Sequence, residues 1–177
     1  MNCTKDKEIK LPADMTEAEF VEVFGGVYEH SPWISRDAFH QGINEEQNTS
    51  VGLSSLMMDI VASADKTKVL GLINAHPDLA GKAAVDGTLT AESTSEQSGA
   101  GIDQCTAEEF EDFQKYNNAY KEKFRFPFIM AVKGSNRHLI LEAFEKRLKN
   151  DEETEFNTAV SEVHKIAKFR LDDLLDS

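Results

Sequence analysis

The chain has 177 residues, of which 40% are hydrophobic and 29% are charged, a composition typical of one folded domain with a sizeable core. Its formal net charge of −13 argues against nucleic acid as a partner, because such partners require clustered Lys and Arg. The same charge disfavours an anionic membrane surface, although a locally positive pocket could still bind an anionic small molecule.

The first third of the chain predicts helices at two places. The sequence Thr16-Glu17-Ala18-Glu19 is typical of a capping box, and the helix that it opens should end at Gly25-Gly26. A short segment follows around Pro32-Trp33. Residues 50–63 carry apolar side chains at helical spacing and predict the next helix.

The middle of the chain predicts two short helices and a loop. Asp65 can cap a helix that runs to about residue 75, because Pro77 disfavours helical backbone at the residue before it. A short helix is expected over residues 79–85. Residues 88–103 are rich in small and polar side chains, which predicts a loop with about one helical turn. Such a loop inside a compact domain is more often functional than idle.

The last part of the chain predicts three helices and one irregular segment. A second capping box, Thr106-Ala107-Glu108-Glu109, opens a helix with aromatic residues at intervals of three or four. Residues 126–132 form an apolar run that Pro127 should make extended or irregular. Ser135 is expected to cap the next helix, and a last helix should span about 152–175. With no internal repeat, linker or domain boundary, the sequence predicts one all-α domain.

The cysteines and the chain termini bear on the cellular compartment. Cys3 and Cys105 suggest neither a disulfide framework nor a zinc cluster, which favours a reducing compartment. Residues 1–15 lack the apolar core of a signal peptide, and no apolar run approaches the roughly 20 residues that span a bilayer. The last three residues also differ from the peroxisomal signal Ser-Lys-Leu. These features predict a cytoplasmic protein, in which residues 1–10 are expected to be poorly ordered.

Arg170 is the first candidate for a functional side chain. It lies three residues after Ala167 and four before Leu174 in the apolar stripe of the last predicted helix, so it should point near the core. Arginine is almost never fully buried without a partner. Arg170 therefore either pairs with an internal acid or reaches out at the edge of the stripe, or its fork grips a carboxylate or a planar urea-like group of a ligand.

His76, Glu96 and Gln97 are the next candidates, and each has two interpretations. His76 lies where a helix stops, so it either caps helix carbonyls or acts as a general acid or base. The other four histidines show no metal-ligand spacing with it, and no metal site is predicted. Glu96 and Gln97 belong either to a solvated loop or to a site in which the carboxylate handles a proton while the amide offers a donor and an acceptor.

The apolar run at 126–132 is the last candidate. Most of its side chains should belong to the core. Its backbone N–H and C=O groups, if they lie outside a regular ladder, need partners that a flat heterocycle rich in amides could supply.

Taken together, these residues resemble the family of 2-oxo-4-hydroxy-4-carboxy-5-ureidoimidazoline (OHCU) decarboxylases. The matching motifs occur in order from about residue 12 to residue 175, and the ordered set is far more specific than any single motif. They are Ser31-Pro32-Trp33, His76-Pro77-Asp78-Leu79-Ala80-Gly81-Lys82, Ser93-Thr94-Ser95-Glu96-Gln97-Ser98-Gly99-Ala100-Gly101, Tyr116, Tyr120, Phe124-Arg125-Phe126-Pro127-Phe128-Ile129-Met130-Ala131-Val132-Lys133-Gly134 and Ile166-Ala167-Lys168-Phe169-Arg170-Leu171.

The resemblance implies a single compact multi-helix domain over residues 1–177, usually homodimeric, that uses no metal or organic cofactor. It implies decarboxylation of a small ureide, OHCU, to (S)-allantoin, in a pathway shared with urate oxidase and 5-hydroxyisourate hydrolase. His76 would be the catalytic histidine and Glu96 its acidic companion. The implied substrate contacts are Pro77, Ser93, Gln97, Phe128, Ile129, Met130, Ala131, Val132 and Arg170.

Two other functions stay open on the sequence alone. A non-catalytic helical interaction module would place His76, Glu96 and Arg170 far apart. A related enzyme that acts on another cyclic ureide would keep the pocket but change the reaction.

Overall fold

The computed structural model of the protein describes residues 10–176, apart from the side chain of Ala83. Within that range the chain forms α-helices and short 3-10 turns and no β-strand, which confirms the all-α prediction. The helices are α1 (Glu17–Phe24), α2 (Trp33–Gln41), α3 (Ser50–Ser63), α4 (Lys66–Asn74), α5 (Lys82–Asp86), α6 (Ala91–Gly99), α7 (Ala107–Phe124), α8 (Arg137–Arg147) and α9 (Glu152–Leu175). The expectation about residues 1–10 falls, except for Lys10, outside the described residues.

Most helix starts lie where the local chemistry predicts them. The hydroxyl of Thr16 accepts a hydrogen bond from the Glu19 amide, and the Glu19 carboxylate accepts one from the Thr16 amide. The same reciprocal capping box opens α7, and Asp65 caps α4. The predicted cap at Ser135 is wrong, because the side chain of Asn136 accepts the first free amides of α8 instead.

Residues 88–103 differ from the predicted loop, since α6 occupies nine of them. Thr90 caps this helix, and Ser93, Gln97 and Ala100 lie buried on one side of it at helical spacing. Because two of these three inward residues are polar, hydrophobic periodicity gives no signal for the helix. The segment after Pro32 is likewise a full helix, α2, rather than a short segment.

Helix α9 is the axis of the core. One side of it is buried and packs against α3 and α4. Helix α7 packs against α8, and between them an aromatic cluster includes Phe128 and Phe144, whose rings stack with centroids 3.7 Å apart. This packing holds the irregular segment 126–132 beside α9. None of the helices in residues 10–176 has the length and apolar character that crossing a bilayer requires.

Candidate active site

A small cavity lies between the end of α4, helix α6, the segment 126–132 and α9. Its lining residues are His76, Pro77, Leu79, Ser93, Glu96, Gln97, Phe128, Ile129, Met130, Val132, Ile166 and Arg170. Every predicted site residue except Ala131 is among them, and Leu79 and Ile166 add apolar wall that was not predicted. A non-catalytic module would have kept His76, Glu96 and Arg170 apart, so this arrangement contradicts that alternative.

His76 binds a helix carbonyl, as the first of its two interpretations predicted, and this contact uses only one of its two ring nitrogens. Its Nδ1 lies 3.0 Å from the Leu72 carbonyl oxygen. Because a carbonyl can only accept, Nδ1 carries the proton, and in the neutral ring Nε2 keeps a free lone pair. Burial lowers the pKa of His76 to about 4, against a smaller opposing effect of the Leu72 hydrogen bond. The ring is therefore a neutral base near pH 7, and only 8% of the residue is exposed to solvent.

Arg170 is buried, with 6% of its surface exposed, and it pairs with internal acids. Its Nε and Nη2 donate to the two oxygens of Glu96 at 2.8 and 3.0 Å, and its Nη1 donates to Glu29 at 2.8 Å. Burial works to lower the pKa of Arg170, but the hydrogen bonds and charges of Glu96 and Glu29 raise it. The guanidinium therefore stays charged, and its Nη2 also makes a longer contact, at 3.5 Å, with the Ser93 hydroxyl.

Glu29 is a site residue that sequence reasoning missed. It lies in the turn between α1 and α2, where no periodicity marks it, and only 2% of it is exposed. One carboxylate oxygen accepts from the hydroxyls of Thr90 at 2.9 Å and Ser93 at 3.2 Å, and the other accepts from Arg170. Burial raises the pKa of Glu29, but Arg170 and Thr90 outweigh it and hold the pKa below its usual value.

Gln97 connects α6 to the loop that follows His76. Its Oε1 accepts from the Ala80 amide at 3.1 Å, which leaves the Nε2 amide as the donor available to a ligand. Ala80 has a φ of 52°, a left-handed conformation that is strained for alanine. Gln114 donates to the Ala80 carbonyl at 2.7 Å and Asn117 to the Leu79 carbonyl at 2.8 Å, so helix α7 also holds this strained turn in place.

The segment 126–132 is irregular, as predicted, and two of its backbone groups are bound from outside the cavity. The Ile129 carbonyl accepts from Arg147 at 2.6 Å, and the Ala131 amide donates to Glu162 at 2.8 Å. Ala131 is the one predicted site residue that does not line the cavity. Across the described residues, no hydrogen bond is recorded for the N–H or C=O of Met130.

Metal ligation finds no support in the described part of the chain, which contains no cluster of three or more His, Cys, Asp or Glu side chains suited to an ion. The polar groups of the cavity are instead one imidazole, one amide, one hydroxyl, a paired guanidinium–carboxylate and free backbone groups. Such a set can move protons and bind amides.

The family model described as OHCU decarboxylase matches residues 13–172. This chain belongs to the OHCU decarboxylase family. The predicted resemblance is thereby confirmed. This chain is 40% identical to the OHCU decarboxylase of Haloferax volcanii over 92% of its own length and 93% of the relative. It is 36% identical over 91% of its length to the uric acid degradation bifunctional protein PucL of Bacillus subtilis, of which it spans 31%.

A solved structure supports the same assignment. The crystal structure of OHCU decarboxylase in the presence of (S)-allantoin superposes with a TM-score of 0.69 and 25% identity, over 85% of this chain and 96% of that one. The fold of the family and the fold of this protein therefore agree over most of both chains.

Proposed function

We propose that this protein is a carboxy-lyase that decarboxylates OHCU to (S)-allantoin in urate degradation. The observation that carries the proposal is a buried, neutral His76 that shares one small cavity with the Glu96–Arg170 pair, in a chain of this family. The reaction needs a proton to be removed from oxygen and another to be delivered to carbon, and these are the tasks that such a site can perform.

The substrate supplies its own electron sink. OHCU carries a carboxylate and a hydroxyl on one ring carbon, next to a C=N carbon that bears the ureido group. When the C–C bond to the carboxylate breaks, CO2 leaves, the electron pair forms a C=C bond to the ureido-bearing carbon, and the C=N electron pair moves onto nitrogen, which takes up one proton from solvent. A proton then adds to the ureido-bearing carbon while the hydroxyl loses its own proton and becomes the ring carbonyl. The protein has to orient the carboxylate out of the ring plane and handle the two protons.

The cavity residues divide this work in the proposal. The Nε2 lone pair of His76 takes part in transfer of the hydroxyl proton, and Glu96, held in one orientation by Arg170, takes or orients the other. The free amide of Gln97 and one remaining contact of Arg170 bind the carbonyl and ureido groups. Pro77, Ser93 and the segment 128–132 hold the ring, with protonation at one face giving the S product.

The decisive assay is circular dichroism of the allantoin that forms from freshly generated OHCU, with CO2 release followed in parallel. Uncatalysed decay gives racemic product, so optical activity reports the enzyme. His76→Ala and Glu96→Ala should each lose about 10²–10⁴-fold in turnover while they keep the helical spectrum. His138→Ala, whose side chain is 65% exposed, serves as the control. A His76→Ala variant with a near wild-type rate would refute the mechanism.

We also propose that the protein is a cytoplasmic homodimer that works beside urate oxidase and 5-hydroxyisourate hydrolase. The bifunctional relative supports the pathway part, because its name assigns it to uric acid degradation and its chain extends well beyond the matching region. Light scattering of the purified protein tests the dimer, and a monomer at micromolar concentration would contradict it. A coupled assay tests the pathway, which predicts faster formation of optically active allantoin when all three enzymes are present.

A further inference from the structure

Glu155, at the start of α9, is a fully buried carboxylate that the proposed chemistry does not use. It accepts hydrogen bonds from Nε and Nη2 of Arg147 at 3.0 and 2.9 Å, from Asn150 at 2.8 Å and from the hydroxyl of Tyr120. A buried ion pair of this kind is weak support for stability, because an apolar replacement of equal volume often serves as well. The four hydrogen bonds do, however, hold the Arg147 guanidinium in one orientation, and this orientation can serve a function.

Arg147 carries that geometry to the cavity wall. Its Nη1 donates to the Ile129 carbonyl at 2.6 Å, and its guanidinium carbon lies 4.3 Å from the centre of the Phe128 ring. Both residues line the cavity, whereas Arg147 and Glu155 do not. The pair thus contacts the wall from behind.

The bond from Arg147 to the Ile129 carbonyl also fixes the direction of the next backbone N–H, because the peptide unit is planar. In a trans peptide the C=O of one residue and the N–H of the next point in opposite directions. Because Arg147 holds the Ile129 carbonyl, the Met130 N–H has to point away from Arg147. By the same argument, the bond from the Ala131 amide to Glu162 turns the Met130 carbonyl away from Glu162. Met130 therefore presents one fixed donor and one fixed acceptor, with no recorded partner for either in the described residues.

We propose that Arg147, locked by Glu155, and Glu162 are positioning residues that aim the Met130 N–H and C=O at an amide edge of the ureide. A donor and an acceptor on one residue match the adjacent C=O and N–H of a cyclic amide. This role rests on the proposed function. It assigns substrate orientation to three side chains that touch no substrate, and it predicts effects on KM and on product chirality.

Glu162 gives the first test because its side chain lies near the surface, 13% exposed. Glu162→Ala should raise KM about tenfold, as expected when one oriented hydrogen bond is lost, and should lower the optical purity of the allantoin. Glu162→Gln keeps an oxygen for the Ala131 amide and should restore both values. Glu142→Ala, which removes a 60% exposed carboxylate paired with Lys146, is the matched control and should change neither.

The buried pair gives the second test. Arg147→Met/Glu155→Leu replaces the ion pair with apolar volume, so the protein should still unfold cooperatively while KM rises about tenfold. Arg137→Met removes an arginine of the same helix that pairs with Glu109, away from the cavity, and should leave KM unchanged. Wild-type KM and full optical purity in folded Glu162→Ala, or in the folded double variant, would overturn the positioning role. A wild-type protein that gives only racemic allantoin would instead end the proposed function.

Discussion

Acidification should weaken the folded protein through one buried side chain, His76. In the unfolded chain the pKa of this histidine is near 6.5, and in the folded protein burial lowers it to about 4. Between these two values the unfolded chain binds a proton that the folded protein does not. The free energy of unfolding therefore falls as the pH drops below about 6.5, and the decrease that His76 causes is nearly complete at about pH 4.

The size of the effect follows from the shift. A change from 6.5 to about 4 corresponds to about 3 kcal/mol, since each pKa unit is worth about 1.4 kcal/mol. That is a large part of the roughly 5–15 kcal/mol that stabilises a typical domain. His76→Asn removes the titration but keeps a side-chain donor for the Leu72 carbonyl, so the variant should gain about 3 kcal/mol relative to wild type between pH 7 and pH 4.

Urea unfolding at a series of pH values measures this difference. Other groups, such as Glu29, titrate in both proteins and largely cancel when the two curves are subtracted. His138→Asn is the control because it makes the same replacement at a largely exposed histidine outside the cavity, and it should not reproduce the stabilisation that His76→Asn shows at acidic pH. Parallel curves for wild type and His76→Asn from pH 7 to pH 4 would refute the assignment of a buried neutral imidazole.

Three substitutions test the rest of the site and the core. Glu29→Gln leaves Arg170 with a single carboxylate and should lower kcat/KM at least about tenfold in the circular dichroism assay, and an unchanged value would contradict its holding role. Arg170→Lys cannot make the bidentate bond to Glu96 and should reduce turnover strongly, whereas wild-type kcat and KM would exclude that role. Phe20→Ala should cost about 3–5 kcal/mol in urea unfolding with normal activity per folded molecule, and a loss below about 1 kcal/mol would be inconsistent with its full burial.

Local chemistry explains which helices were predictable. Capping boxes such as that at Thr16 act over four residues, so the sequence alone locates the helix start. Helix α6 was missed because its buried side is formed by Ser93 and Gln97, whose hydrogen bonds run to Glu29 and Ala80 in distant parts of the chain. The spacing of apolar side chains along the sequence gives no information about such polar contacts.

In the candidate site, too, some residues could be predicted from the sequence while their partners could not. The resemblance to the family predicted His76, Glu96 and Arg170, while the residues taken singly left an ordinary structural role open for each. The sequence could not reveal that Arg170 pairs with Glu96, 74 residues away, and with Glu29, 141 residues away. These contacts depend on how helices pack, and a turn residue such as Glu29 lies in no periodic pattern.

The pairing of Arg170 has a consequence for catalysis. Its guanidinium is shared between Glu29 and Glu96, so the three groups sum to −1 when both carboxylates are ionised, and the neutral His76 adds no positive charge. A substrate carboxylate that enters the cavity meets no uncommitted cation among the residues that line it. A cation paired tightly with that carboxylate would stabilise the substrate before CO2 leaves and would slow the reaction. Without such a cation, the net negative charge of the three groups repels the substrate carboxylate more than it repels the delocalised charge that forms on the C=N group. Substrate affinity must then come from hydrogen bonds to the amide edges, and for this reason the orientation of backbone groups such as Met130 matters more here than net charge.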